Sequence, residues 1–421
     1  MEALRTALGP KLAAAWRALL DGAARGDFLG RERVVAYATA VCLGYALLVP
    51  CLWLSGQWPV GADGFPVEAD FVNVWAAGFL ALGGEAAAAY DWAVHGRAEA
   101  LAIGRELNGY FGWHYPPMFL FAAAALALLP YVQAWLVWIA VSLFAFAGAI
   151  RLVLPGRGAV AAALAAPTTL FCALVGQNGL LTAGLMAGAL ALLDRRPWIA
   201  GALLGLLTYK PQYGLLFPLV LVLARRWTAF FAAASAALAF AGASALVFGA
   251  ETWAAFFGSV SVSVNDVLRR GGSDWSKLQS FYALFFQATG SDAVAWAAHS
   301  AVSAGAAAAV ALVWLRGAAP AVASAATMAA AFLATPYAYI YDAAILTAGA
   351  AFLAKDGAEQ GFKPFDKSLL ALSCCLPGLF FLGVAHSGVA PAAALTLLFL
   401  AVRRAAVPGS GRLPLRFSPG P

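Results

Sequence analysis

Charge is what this chain has least of. Only 11% of its 421 residues are Asp, Glu, Lys or Arg, against 63% hydrophobic ones; soluble domains carry roughly 25% and 45–50%. That excludes a soluble globular domain. Short segments of alternating polarity are missing too, which excludes a barrel of strands about ten residues long. No cleavable leader is expected. Residues 1–33 are polar-amphipathic, with six Lys/Arg and four Asp/Glu, and the first apolar run, from Val34, is too long for a leader's core. The soluble-enzyme signatures G-x-x-x-x-G-K-[ST], H-E-x-x-H, G-x-S-x-G and paired C-x-x-C are absent, as is an Asp-x-Asp pair. These absences weigh against an ATP-driven pump, a zinc protease and chemistry fed by nucleotide-sugars. Cys42, Cys51, Cys172, Cys374 and Cys375 stand at no metal-ligand spacing and read as inert thiols beside apolar runs. The net charge of +6 comes from arginines at the ends of apolar runs. It therefore reads as membrane orientation rather than nucleic-acid affinity.

What remains is apolar and rich in small residues, with 42 glycines. Such a chain packs as closely approached membrane helices. Thirteen apolar runs fall near 34–54, 115–130, 131–151, 158–175, 179–193, 198–209, 211–224, 228–249, 292–315, 320–334, 337–354, 367–383 and 387–404. A span needs about 20 residues, so 198–224, broken by "YKPQ", merges into one proline-interrupted span and the expected count is about twelve. Lysine and arginine bias places the N-terminal segment 1–33, Arg225–Arg226, Arg316 and the tail 405–421 in the cytoplasm, around one transmembrane domain, 34–404. Two outer loops follow, about 55–114 and 250–291, the first with seven acids against two arginines. Arg151/Arg157 and Arg195/Arg196 cannot all be cytoplasmic on that count; a re-entrant hairpin in 131–197 is one way out. In the first outer loop Phe71, Trp75, Phe79 and Leu82 recur at helical spacing, which predicts a helix lying on the membrane surface. A second helix is predicted over 92–108, with Trp92, Leu101 and Leu107 as its apolar positions. The second outer loop opens on a helix-like stretch, 251–270.

Polar residues stand out against this background. Asp70, at the lipid edge, is either a catalytic carboxylate or the N-cap of the following helix. In "GQNG", Gln177 and Asn178 either bind sugar hydroxyls or close a tight turn. In "YKPQ", Lys210 either meets a phosphate as a point charge or snorkels to the interface. In "TPYAYIYD", Tyr341 and Asp342 line a polar cavity or belong to an interfacial aromatic belt. Arg269, Arg270 and Lys277, cations on an outer loop, suit a phosphate or are simply solvated.

Four stretches carry a resemblance: "DFVNVWAAGFLALGGEAAAAYD" from Asp70, "HYPPMFLFAAAALALLP" from His114, residues 176–227, and "LATPYAYIYDAAIL" from Leu333. In this order they resemble glycosyltransferase family 87, polytopic proteins of the all-α GT-C fold class, over about 34–404. The resemblance implies a GT-C-like bundle. It also implies transfer of a hexose, mannose at the family level, from a polyprenyl-phosphate sugar to a lipid or glycan acceptor on the outer face of the inner (plasma) membrane. Asp70 would then be the general base, with Lys210, Arg269 and Arg270 on the donor phosphate. Gln177, Asn178, Gln212, His114, Tyr115, Tyr341 and Asp342 would contact substrate. One base with direct displacement implies inversion. The implied partners are donor, acceptor and bilayer, with no nucleic acid. No metal or other cofactor is expected, the alternative being a divalent ion between the donor phosphate and Asp70 or Asp274. A secondary transporter or flippase of about twelve spans and a non-catalytic envelope scaffold are the competing readings. The former usually shows related halves, and none are seen.

Overall fold

The computed structural model describes residues 2–107, 109, 111–269, 275–383 and 386–406. Among these the regular structure is helical, with three isolated bridges and no strand. A helix α1 (Glu2–Arg25) precedes α2 (Arg31–Leu54). Between α2 and the next long helix lie α3 (Val72–Leu82) and α4 (Trp92–Ile103), in the stretch expected as the first outer loop, and α5 (Leu120–Ala127), a short helix in the run 115–130 expected to span. The bundle continues through α6 (Tyr131–Val153), α7 (Arg157–Leu164), α8 (Pro167–Val175), α9 (Gly179–Leu192), α10 (Pro197–Leu206), α11 (Phe217–Leu223) and α12 (Trp227–Phe248). The stretch expected as the second outer loop holds α13 (Ala250–Ser263), which ends in one π-helical turn to Arg269, and α14 (Phe281–Thr289). The chain closes with α15 (Asp292–Leu315), α16 (Pro320–Leu333), α17 (Ala344–Gln360), α18 (Asp366–Cys375) and α19 (Val389–Ala405).

Among the described residues four helices, α2, α6, α12 and α15, are long and apolar enough to cross a membrane. A fifth candidate is the α7–α8 pair, bent by 61° where Pro167 has no N–H to continue the ladder. The other apolar helices are only 10–17 residues long, and several sit deep inside. In α16 every residue from Ala321 to Leu333 is buried, and α9 and α17 are buried over most of their surface. Their Ala/Gly-rich sequences permit this, since small side chains let backbones approach closely. Large apolar side chains such as Leu47 on α2, Phe144 on α6 and Leu246 on α12 point outward.

Two sequence expectations for the first outer loop change. The helix α3 does not lie on the membrane surface: Val72–Gly78 and Leu80 are buried in the protein, and only Phe79 and Leu82 of the predicted stripe are exposed. On α4, Trp92 and Leu101 face outward, while the buried face carries His95, Ala98, Glu99 and Ile103. Asp91 caps that helix, accepting from the backbone N–H of Ala93 and Val94.

The stretch 198–224 also differs from the merged span. α10 runs parallel to α12, Gly201 packing on Ala229 and Ala232 and Gly205 on Ala236. After "YKPQ" the chain turns back, because Arg226, beyond α11, forms an ion pair with Asp194, ahead of α10. The proline break is thus a reversal between two short helices, not a kink within one.

A second polar layer closes the opposite end. Arg404 pairs with Asp356 and Asp366, and Arg403 with Asp366. Phe365 donates its N–H to Ala24 O at 2.9 Å, tying α1 to this end. Asp342, two residues before α17, and Asp356, in its last turns, are fourteen residues apart, about 21 Å at 1.5 Å per residue. All five cysteines are free thiols.

Candidate active site

Asp70 does not cap α3. The N-cap there is Phe71, without a side-chain bond, and the Asp70 carboxylate turns inward to accept from Gln177 Nε2 at 3.1 Å. Its backbone is pinned one residue on, where Phe71 N donates to Val175 O at 3.1 Å and its ring stacks on Trp135 at 6.3 Å. Gln177 is held by its own neighbours. Tyr115 Oη donates to Gln177 Oε1 at 3.3 Å, which leaves the amide nitrogen for Asp70. Asp70 is 8% exposed, so one edge of the carboxylate reaches the outside.

The "GQNG" motif is both a turn and a polar site. Gly176 adopts φ +68°, and a Cβ there would lie 2.5 Å from Trp135 Nε1 and 2.6 Å from the Phe71 Cβ. Only glycine fits both the left-handed backbone and the space. Trp138 Nε1 donates to Gly176 O at 2.9 Å. The turn presents Gln177 and Asn178, one after the other, to two different carboxylate–lysine pairs.

The first pair is Asp70 with Lys277. The lysine comes from the segment between α13 and α14, its Nζ 3.7 Å from Asp70 Oδ1 and its side chain 31% exposed. That loop is fixed over the site because Leu278 bridges Tyr339 and Gln279 N donates to Ala338 O at 2.6 Å. The second pair is buried. Lys210 Nζ donates to Asp342 Oδ1 at 2.6 Å and to Asn178 Oδ1 at 2.8 Å. It also lies 5.5 and 5.4 Å from the ring centres of Tyr213 and Tyr341. Asp342 Oδ2 accepts from Tyr339 N at 3.3 Å. Lys210 therefore does not snorkel: it is 4% exposed, with an acid 132 residues away in sequence. Tyr209 Oη sits 2.6 Å from Thr182 Oγ1 and reaches Asn178 O.

Of the residues singled out in sequence, Asp70, Gln177, Asn178, Lys210, Tyr115, Tyr341 and Asp342 thus come together. Gln212 is half-buried, with no side-chain hydrogen bond into the cluster among the described residues, and His114 is exposed. Arg269 is described only in its backbone, and Arg270 and Asp274 lie outside the described residues. Among the described residues Lys277, named in sequence only as one of the loop cations, reaches Asp70; Thr182 and Tyr213 carried no sequence signal, and Tyr209 only as the first residue of "YKPQ". Among the described residues no group of three or more His, Cys, Asp or Glu is placed to hold a metal ion. A cavity of about 510 Å³ lies beside this cluster rather than at Asp70, between the start of α4 and α13, lined in part by Tyr90 and Trp92. Tyr90 Oη donates to Tyr115 O at 2.8 Å, which joins that cavity's wall to the Gln177 network. Beneath α4, burial raises the Glu99 carboxyl above the ordinary glutamate value, offset in part by His95 and by the Phe111 N–H.

Among known families, the model of glycosyltransferase family 87 matches residues 113–336, just over half of the chain. The matched segment holds Gln177, Asn178, Lys210 and Lys277; Asp342 lies just past its end, and Asp70 lies well before its start. No match is found among curated proteins or solved structures.

Proposed function

The chain belongs to glycosyltransferase family 87, and from that premise we propose an inverting membrane hexosyltransferase in which Asp70 is the general base. The donor in this reading is a polyprenyl-phosphate sugar, mannose being the family-level choice, and the acceptor is the hydroxyl of a lipid or glycan. The observation that carries it is the environment of Asp70: one oxygen fixed by the neutral Gln177 amide, the other facing the Lys277 ammonium. As the acceptor oxygen attacks the anomeric carbon, its proton passes to Asp70 Oδ1. The bond from that carbon to the phosphate oxygen breaks, and the electron pair stays on the phosphate. Positive charge aimed at that developing anion is what lowers such a barrier. At 3.7 Å, Lys277 is beyond hydrogen-bond length from Asp70, so its donors remain available for the phosphate, with Arg269 and Arg270 preceding it in the same loop. Lys210, engaged with Asp342 and Asn178, serves as the floor of the site. Asp342, buried and bonded to Lys210 and Tyr339, is not offered as a nucleophile. A single working carboxylate supports inversion.

The same reading takes the fold as a GT-C-like bundle of about twelve crossings. The chain passes between the Asp70 and Arg404 layers in α2, α6, the α7–α8 pair, α9, α10, α11, α12, α15, α16, α17, α18 and α19. α3, α4, α5, α13 and α14 stay on the Asp70 side. Separate crossings for α10 and α11, with α5 not crossing, put Arg151, Arg157, Arg195, Arg196, Arg225, Arg226, Arg316, Arg403 and Arg404 on one face. That is the positive-inside arrangement, with Asp70 on the outer side of the inner (plasma) membrane and residues 1–33 and 405–421 in the cytoplasm.

The test is transfer in proteoliposomes supplied with polyprenyl-phosphate mannose and an envelope lipid extract. Asp70→Asn should lose about 10²–10⁴-fold in rate while retaining its melting behaviour. Full activity in a folded Asp70→Asn protein would end the base assignment. Transfer by the wild type only from other donors would end the donor assignment.

A further inference from the structure

The end of α6 remote from Asp70 carries a second site. Phe144, Ala147, Gly148 and Arg151 are spaced at three and four residues and so form one stripe along the helix. Together with Arg157 and Val160 of α7 they line a cavity of about 310 Å³. Arg151 and Arg157 are both exposed, and no acid pairs with either among the described residues. Of the other arginines at these helix ends, Arg226 has Asp194, and Arg403 and Arg404 have Asp366; Arg195, Arg196, Arg225 and Arg316 form no ion pair among the described residues, but of all these only Arg151 and Arg157 line this cavity. The groove between them is open, since a Cβ built on Gly148 would meet nothing within 4 Å. Away from the arginines it runs onto the outward face of α6, where Val137, Val141 and Phe144 are exposed, Phe144 by 80%. Phe144 lies seven residues from Arg151, about 10 Å along the axis.

Two uncompensated guanidiniums above an open apolar channel match one chemistry, a phosphodiester with a hydrocarbon tail. We propose that Arg151 and Arg157 bind the headgroup phosphate of an anionic phospholipid whose acyl chain lies along the Gly148–Phe144 groove. Guanidinium is the side chain suited to phosphate, and basic pockets between membrane helices hold anionic headgroups. The apolar half of the groove is what separates this ligand from a free phosphate, which would use the arginines alone. The site lies at the far end of α6 from Trp138, which holds the Gly176 turn, so it stands whether or not Asp70 is the base.

Native mass spectrometry of the full chain, titrated with phosphatidylglycerol or phosphatidylcholine, tests it. Phosphatidylglycerol should bind in preference. Arg151→Gln/Arg157→Gln should weaken it about thirty-fold, since each cation contributes roughly five-fold near an anionic headgroup. Gly148→Leu, at a position where a Cβ meets nothing within 4 Å, puts a side chain into the groove and should displace the lipid with the arginines intact, and this covers a double variant that fails to fold. Arg195→Gln/Arg196→Gln, at the same membrane face, should leave binding unchanged. Equal binding of the two lipids, equal loss in the Arg195/Arg196 variant, or competition by soluble glycerol phosphate as strong as by phosphatidylglycerol would overturn the proposal.

Discussion

Replacing Lys210 by methionine should destabilise the protein, replacing Asp342 by leucine should do so less, and combining the two should recover most of the loss. The two charges are 2.6 Å apart, with side chains 5% and 0% exposed. Removing one partner of such a pair leaves a buried, uncompensated charge and costs about 3–5 kcal/mol. The two single variants are not equivalent. Without Asp342, the ammonium keeps Asn178 Oδ1 and the faces of Tyr213 and Tyr341, the rings alone contributing about 0.5–2 kcal/mol. Without Lys210, Asp342 is left with the Tyr339 N–H, a single neutral donor. Asp342→Leu therefore belongs near the lower end of that range and Lys210→Met near the upper. In the double variant an apolar pair replaces an ionic one, which is often neutral. Asn178 Oδ1 still loses its donor, a residual cost of about 1–3 kcal/mol. Thermal unfolding in detergent, with chemical denaturation at fixed temperature, ranks the four proteins. Wild-type stability in Lys210→Met, or a double variant as unstable as the sum of the singles, would refute the pairing. Lost transfer at full stability in Lys210→Met would return the lysine to the donor phosphate.

Lys277→Gln should behave in the opposite way. Its melting should match the wild type, while kcat/KM for the polyprenyl-phosphate donor falls about 10²-fold; unchanged donor kinetics would remove Lys277 from the site. Gly176→Ala should destabilise through backbone and space together. The left-handed conformation costs about 1–2 kcal/mol and the contacts with Trp135 and Phe71 a further 1–3 kcal/mol or so; a wild-type melting curve would contradict this. Glu99 gives a pH signature. Burial raises its carboxyl in the fold, so the native state binds the proton more tightly than the unfolded chain. Its contribution is therefore fully present below the ordinary glutamate pKa and lost as pH rises through the folded value. Glu99→Gln should remove that decline, gaining on the wild type toward neutral pH; melting curves that stay parallel from about pH 4 to about pH 8 would refute it.

Composition was enough to read a helical membrane protein, because lipid leaves few ways to satisfy a backbone. The site was legible where a residue was out of place in its own neighbourhood: Asp70 at a lipid edge, Asn-Gly between two apolar runs, a lysine beside a proline. It was not legible where a partner was distant. Nothing near Lys210 in sequence points to Asp342, and only the fold brings them together. Periodicity also has a limit, since Phe71, Trp75 and Phe79 recur equally well on a surface helix and on one buried on most sides, and α3 is the latter. On α4, Trp92 and Leu101 face out while His95 and Glu99 face in beside Ala98 and Ile103, which hydrophobicity alone does not suggest. The proline of "YKPQ" announced a break, but a break and a reversal look alike in sequence. The charges of Asp194 and Arg226, which meet in the fold, were the overlooked clue.

The short helices explain why polar residues gather where they do. α8, α10 and α16 end, and α9, α11 and α17 begin, around the Asp70–Asp342 cluster. Each helix end exposes backbone groups without intrahelical partners, and apolar surroundings make an unmet carbonyl or N–H costly. The chain meets them with aromatic donors and backbone pairs: Trp138 to Gly176 O, Trp58 to Leu174 O, Phe71 N to Val175 O, and Tyr209 with Thr182 at Asn178 O. Once those groups are satisfied, the side chains at the turns are spare. Gln177, Asn178, Lys210 and Asp342 stand at such turns, and they form the network into which the Asp70 carboxylate reaches. Broken helices in lipid thus do two things with one set of residues. They stop the backbone where a polar pocket is needed, and the groups that make the stop tolerable also fix the carboxylate in place.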